Sequence, residues 1–475
     1  MKQICDKKMS FNECELAILR AAVDKAEQKQ GREVVNSPEV KRIINIVAQF
    51  LRRKQLICYG GTAINNILPK RDQFYNKDVE IPDYDFYSFN ALNDAKELAD
   101  IYIQNGFEEV EAKSGQHHGT YKVFVNFIPV ADITFIAKDL FQSIKREAIK
   151  VNGILYSPPN LLRMNMFLEL SRPAGDTSRW EKVLKRLTLL NKNYPLTGKD
   201  CNRVQFQRNM ANDEQSNAIY DKVQQTLIDQ GVVFFGGYAL SLYSRHMPFH
   251  LRKKLQKIPD FDVLSEEPSM TAQIVQEQLQ EIGIKHVKIV ERPGIGEIIA
   301  PHYEIKVGQD TIAFIYEPLA CHSYNILHEG NNAIKIATID TMLSFWLAFL
   351  FVDRPYYDKD RILCMSNYLF NVQEKNRLEQ RGLLKRFSVN CMGKQQTLED
   401  MRAEKAAKYV ELKDKQDTPE YEEWFLRYRP SEMGKEPELK PEPTKMKKNK
   451  HKTMKNKKMK KKTRKRSKKG FFFQL

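Results

Sequence analysis

The chain repeats itself, and that limits the architectures open to its 475 residues. Val233-Phe234-Phe235-Gly236-Gly237-Tyr238-Ala239-Leu240 matches the run from Ile57 to Ile64, and Pro259-Asp260-Phe261-Asp262 matches Pro82-Asp83-Tyr84-Asp85. Further on, Ala313-Phe314-Ile315 matches Thr134-Phe135-Ile136. Asp353-Arg354-Pro355, after an apolar helix, matches Ser171-Arg172-Pro173. The offsets of 176, 177, 179 and 182 rise slowly in one direction, as expected of a duplicated unit with small insertions. Two similar α+β halves are therefore expected, each built around the same turn and the same pair of acids.

In the first half, Ile57-Cys58-Tyr59-Gly60-Gly61 reads as a strand delivering a turn to a helix N-terminus. Backbone N–H groups and the helix dipole there favour an anion, and two glycines let a triphosphate come close to the backbone. Asp83 and Asp85 lie two apart in a β-like run, so both carboxylates share one strand face. Asp132 sits inside the apolar run Val130 to Phe135. A charge in such a run is costly unless it is paired or holds a metal. Hard cations that also grip substrate phosphates need carboxylates so placed. A lone Gly-Gly is more often an ordinary turn, and a lone Asp-x-Asp a solvated edge. The ordered set of Gly-Gly, helix, Asp-x-Asp and strand Asp outlines a two-metal phosphoryl-transfer site.

That order resembles the DNA-polymerase-β-like nucleotidyltransferase superfamily. The gap from Gly61 to Asp83 is longer than that family's usual spacing, and Lys70 to Lys77 reads as a polar loop insertion. The tandem arrangement, with Glu169-Leu170-Ser171-Arg172-Pro173, Gly175-Asp176 and Ser178-Arg179-Trp180, narrows the resemblance. It is to the poly(A) polymerase catalytic subunits of large DNA viruses, the poxvirus, mimivirus and asfarvirus group, with the asfarvirus branch nearest. The resemblance implies tandem nucleotidyltransferase domains, ATP as donor, an RNA 3′ end as acceptor, and two Mg²⁺ (or Mn²⁺) ions. It also implies catalytic and metal-binding roles for Asp83, Asp85 and Asp132. Gly60 and Gly61 match the family's triphosphate-contacting motif; Thr62 beside them, with Asn65, Arg163 and Lys185, are candidates for nucleotide contacts to sugar, base or phosphate. It implies host cytoplasm (the viral factory) or the virion as location. A homodimer or a separate processivity or cap-methyltransferase subunit is the expected assembly, and the sequence does not choose between them. Other template-free transferases, of the 2′-5′ oligoadenylate synthetase or CCA-adding type, and a non-catalytic RNA-binding scaffold remain open readings.

The halves are not equivalent. Thr311 aligns with Asp132 and Tyr238 replaces Thr62, so catalysis is expected in the first half and a degenerate role in the second. The expected domains are a helical extension over 1–37, the catalytic domain over 38–195 and a linker over 196–215. The degenerate domain follows over 216–430 and a basic tail over 431–475. Helices are expected over 10–30, 38–55 and about 93–105, and a hairpin from Phe107 to Phe127 with His117 and His118 in its turn. After Pro159 two more helices follow, the second with Trp180, Val183, Leu187 and Leu190 on one stripe and Lys182, Lys185, Arg186 and Lys192 on others.

Of a formal net charge of +17, the segment Pro441 to Lys469 carries +15, from 16 basic residues and one acid. Such a segment cannot bury a core and is expected to be disordered. It offers salt-dependent RNA affinity or a nuclear-localisation patch, or it is a solvating tail. The final Phe471-Phe472-Phe473 has no assigned role. Seven scattered cysteines show no zinc spacing and suggest a reducing compartment. The N-terminus is too polar for a signal peptide. The longest apolar run, Met342 to Val352, is too short to cross a bilayer and fits a buried helix.

Overall fold

A computed structural model describes residues 4–432, except 6–7, 77, 205, 207–213, 253–259 and 297. The basic segment and the Phe run lie outside the described residues. Two long helices open the chain. Phe11–Asn36 is capped by Ser10, and Pro38–Lys54 begins at Ser37-Pro38, where the serine side chain accepts from the Val40 amide. The second of these buries Ile43, Val47, Phe50 and Leu51 on one stripe.

The first half then lays down β1 (Ile57–Cys58), β2 (Tyr84–Ser88), β3 (Val110–Ser114), β4 (Thr120–Val125), β5 (Ile128–Phe135), β6 (Ile149–Val151) and β7 (Ile154–Tyr156). The second half lays down β8 (Val233–Phe234), β9 (Phe261–Leu264), β10 (Val287–Arg292), β11 (His302–Val307), β12 (Asp310–Tyr316), β13 (His322–Glu329) and β14 (Asn332–Ala337). β15 (Cys391–Met392) and β16 (Arg427–Tyr428) follow. The first sheet has the order β16-β3-β4-β5-β2-β1-β7-β6 and the second β10-β11-β12-β9-β8-β14-β13-β15. Position by position, the seven strands of each half occupy the same places with the same crossovers. β1 and β8 run antiparallel to β2 and β9, and parallel to β7 and β14.

One face of the first sheet is buried. Tyr84, Phe86 and Ser88 of β2 point into it, while Asp85 and Tyr87 are only partly covered on the other. Helices Pro38–Lys54 and Ala91–Gln104 pack on the buried side, and the Tyr102 hydroxyl donates to the Ile43 carbonyl at 2.8 Å. The two halves join through their corresponding helices. Pro159–Leu170 packs along Ile339–Phe349, the apolar helix of the sequence, and every residue of the latter is buried. The Ser323 amide donates to the Ser171 carbonyl across the same seam, at 2.9 Å. The described residues up to Ser431 form one compact unit.

After the second half the chain returns to the first. Helices Leu398–Leu412 and Pro419–Phe425 lead to β16, which pairs with β3 at Arg427↔Lys113 and Tyr428↔Ala112. Tyr428 donates to Asp100 at 2.7 Å, Lys405 reaches the Gly115 carbonyl at 3.0 Å, and the rings of Trp424 and His118 lie 4.1 Å apart. His118 thus packs against this returning segment.

Six of the seven cysteines are paired, as Cys5–Cys14, Cys201–Cys364 and Cys321–Cys391, with Cys58 buried and free. This differs from the expectation of reduced thiols. Partners 70 and 163 residues apart in sequence come within 5.1 and 5.3 Å at Cα, which linear spacing cannot show. Among the described residues no helix is long and apolar enough to cross a membrane.

Candidate active site

Three strands bring the expected acids together. β2 and β5 run parallel with Asp85 directly beside Asp132, and Asp83 precedes β2 by one residue. β4 completes the row, with Lys122 opposite Asp132 and its ammonium paired to the Asp132 carboxylate. β2 and β4 alternate buried and half-open positions, and Asp85, Asp132 and Lys122 all fall at half-open ones.

Carboxylates so close raise one another's affinity for protons. Burial, then Asp83 and Asp132, push the Asp85 carboxyl up to about 7, against the opposing pull of Lys122 and Arg179. Asp83 is also raised, by burial first and by Asp132 second. Among the described residues no three acid, imidazole or thiol groups are gathered into a ready metal cluster. The donor set nonetheless fits divalent cations. Three hard oxygen donors face one space, the excess negative charge is met by one lysine, and such ions complete their shell with substrate phosphate and water.

The glycine turn abuts this acid row. The Tyr59 amide donates to the Asp85 carbonyl at 2.9 Å, and helix Gly60–Ile67 starts there. Gly60 has φ +70°, and a Cβ on it would stand 2.7 Å from Asp85 Oδ2. A Cβ on Gly61 would press on the Tyr75 hydroxyl and stand 2.9 Å from Arg186 Nη1. Gly60 is required by its left-handed φ and its closeness to Asp85, whereas at Gly61 a methyl group would meet the ends of two long side chains, Tyr75 and Arg186. Arg186 donates to the Tyr75 hydroxyl at 2.8 Å and lies 4.8 Å from the centre of the Phe74 ring. A helix start, a guanidinium and a phenol around a bare backbone form an anion cradle. A cavity of about 520 Å³ lies on the helix side of the sheet, between helix Pro38–Lys54, β7 and Tyr84; it reaches Thr62, Asn65, Tyr75 and Asp83, but not Gly60, Gly61, Asp85, Asp132 or Arg186.

The other expected contacts are placed differently. Thr62 is buried and donates to the Asp83 carbonyl at 2.6 Å, so it fixes the acid. Asn65 borders the cavity, but its Oδ1 accepts the amides of Phe74 and Tyr75 at 2.8 and 2.9 Å and shapes the inserted loop. The structure does not bring Arg163 to the site. It is 1% exposed, and its guanidinium is spent on Asn160, Asn191 and the Tyr194 carbonyl. Lys185 points outward to Glu181, 2.5 Å away, and its neighbour Arg186 reaches the turn instead. Sequence reasoning missed Lys122, Tyr75, Arg179 and the specific role of Arg186. The alternation of β4 was the one available signal for Lys122. The Lys70–Lys77 insertion is more than a loop. It delivers Tyr75 to the turn, and Lys192 ties Asp72 down at 2.9 Å.

In the second half the same register places Phe314, not Thr311, beside Asp262. The sequence alignment missed this because it could not see the strand register. Phe314 is fully buried, and Glu304 stands opposite it where Lys122 stands in the first half. Asp260 and Asp262 are 5% and 9% exposed. A Cβ on Gly237 would stand 2.5 Å from Asp260 Oδ1, and one on Gly236 would press directly on Asp262. These acids lie against the turn itself, leaving little space for a bulky anion.

Comparison with known proteins agrees with this geometry. Residues 45–176 match the family model of the poly(A) polymerase catalytic subunit. A protein of Acanthamoeba polyphaga mimivirus assigned as that subunit is 33% identical over 162 residues, 33% of this chain and 27% of that protein. Its counterpart in African swine fever virus is 32% identical over 173 residues, 35% of this chain and 36% of that protein. These matches span about a quarter to a third of the relatives' length. The crystal structure of the Megavirus polyadenylate synthase superposes with a TM-score of 0.74 at 21% identity, over 91% of this chain and 88% of that one. Over residues 45–176, the segment holding Gly60, Gly61, Asp83, Asp85 and Asp132, the chain therefore matches the viral poly(A) polymerase catalytic subunits, and across nine-tenths of its length it has the fold of a viral polyadenylate synthase.

Proposed function

We propose that the protein is a polynucleotide adenylyltransferase that adds adenylate from ATP to the 3′ end of RNA without a template. The observation that carries this reading is the row Asp85–Asp132–Lys122, with Asp83, set against the Gly60-Gly61 turn inside the segment that matches the family. The two matching sheets support a tandem pair of nucleotidyltransferase-like units, with catalysis in the first. Phe314 in the place of the third acid is the reason the second is inactive.

Divalent cations held by Asp83 and Asp85, with Asp132 completing the set, would supply Lewis acidity at the reacting phosphate. The backbone at Gly60 and Gly61 admits the triphosphate, and Arg186 with Tyr75 holds its charge. Asp132, paired with Lys122, is placed to take the proton of the RNA 3′ hydroxyl.

Primer extension with each NTP in turn tests the reading. Long tails with ATP alone are expected, lost by at least about a thousandfold in Asp83→Ala or Asp85→Ala and retained in Asp260→Ala. Near-wild-type extension by either first-half variant, or loss in Asp260→Ala, would refute the assignment. Short 2′-5′ products or a three-nucleotide addition would identify a different transferase on the same fold.

A further inference from the structure

A second cavity, about 770 Å³, lies in the second half, at the C-terminal end of helix Lys359–Lys375 and along the loop to Phe387. It is lined by Lys375, Arg377 and Arg386, with Glu374 as the opposing charge. Lys375 and Arg377 are exposed and form no ion pair among the described residues. Arg386 is held rigid, its Nε and Nη2 donating to the buried Asp340 at 3.2 and 2.6 Å. Phe387 sits in the left-handed region at φ +53°, strained for a bulky side chain. Its ring lies 4.6 Å from the Arg386 guanidinium and 5.5 Å from the Trp180 ring. Trp180 belongs to the first half and is oriented by an indole hydrogen bond to the Glu169 carbonyl at 3.0 Å. Arg179, beside it, pairs with Glu169 at 3.0 Å, and its charge acts on Asp85.

Contacts therefore run from a basic cavity large enough for a nucleotide through Arg386, Phe387 and Trp180 to Glu169 and Arg179 of the first half. Aromatic faces flanked by guanidinium groups, followed by unpaired cations, make the stacking-and-phosphate arrangement that binds single-stranded nucleic acid. We propose that the Trp180–Phe387 platform and this cavity hold upstream nucleotides of the RNA strand whose 3′ end lies at Asp83, Asp85 and Asp132. Bases stack at Phe387 and Trp180, and Lys375 and Arg377 take the phosphates. This rests on the adenylyltransferase reading, and it gives the inactive second half a part in substrate binding.

The test uses the full chain and RNA of about 15 nucleotides carrying one 4-thiouridine at successive positions upstream of the 3′ end, irradiated in about 150 mM salt. Crosslinks at Trp180 or within 376–387, from one or two upstream positions, are expected. They should be lost in the double variant Lys375→Glu/Arg377→Glu. That variant should also raise the KM for RNA about tenfold, with the KM for ATP and kcat within about twofold. Both residues are exposed, so folding is not at risk, and Phe387→Leu should weaken the crosslink without removing the phosphate contacts. Crosslinks confined to other segments, with the double variant extending primers normally, would overturn the proposal. So would competition by free AMP as strong as by the oligomer, which would mark a mononucleotide site. Crosslinking needs no catalysis. RNA bound here by a chain that adds no adenylate would refute the reaction and keep the track, and adenylation without these crosslinks would do the reverse.

Discussion

Asp85 shows how a single carboxyl can serve function at the expense of stability. Burial and two neighbouring acids push it up to about 7, so above that pH the folded protein carries a charge that the unfolded chain would keep in water. The folded value exceeds the unfolded one, near 4, so the destabilisation is absent below about pH 4, grows between about 4 and 7, and is complete above. Asp85→Asn should therefore stabilise the metal-free protein by about 1–3 kcal/mol at pH 8, a few degrees in Tm, with the gain fading toward pH 4. Excess Mg²⁺ should narrow the difference by stabilising the wild type alone. A variant no more stable than wild type at pH 8 would show that the three acids do not repel as described. The glycines act by a different route. In Gly61→Ala the new methyl group meets the ends of Tyr75 and Arg186, which can swing aside, so Tm should change little. The anion cradle would be displaced, and the KM for ATP should rise at least about tenfold. An unchanged KM would remove Arg186 and Tyr75 from the triphosphate site.

At the scale of elements, the sequence displayed what is periodic or locally ordered and concealed what depends on register. Helix Pro38–Lys54, the Gly-Gly turn, the Asp-x-Asp strand and the Met342–Val352 helix could all be read, because each has its own spacing or cap. The pairing of β12 with β9 could not, and that is why Thr311 was aligned where Phe314 stands. Arg163 and Asn65 were plausible polar residues near the site in sequence, but burial and hydrogen bonding to the loops decide that they are structural. The returning segment could not be read either, since a two-residue strand has no signature. β16 covers β3, which would otherwise present an open edge. A chain ending at residue 432 should melt with the full-length protein. One ending at 411 should lose several degrees and aggregate on warming. Equal melting of the two, followed by calorimetry, would show that the segment is dispensable.

Across the whole molecule, the halves share their core. Helix Ile339–Phe349 is covered on every side, by its own half and by helix Pro159–Leu170 of the other, so neither half is complete alone. Residues 1–431 should unfold in a single calorimetric transition, and two separable transitions would contradict the shared interior. Phe167→Ala, at a fully buried position in the first of these helices, should cost about 3–5 kcal/mol. The route of the backbone also has a consequence for how the protein is made. The acid-bearing sheet is begun by residue 57 but its outer edge is closed only by residues 427 and 428. A ribosome must therefore synthesise nearly the whole body of the protein before its first sheet is finished. Until then a nascent or prematurely terminated chain displays an unsatisfied strand, the feature by which aggregation and cellular quality control single out unfinished protein.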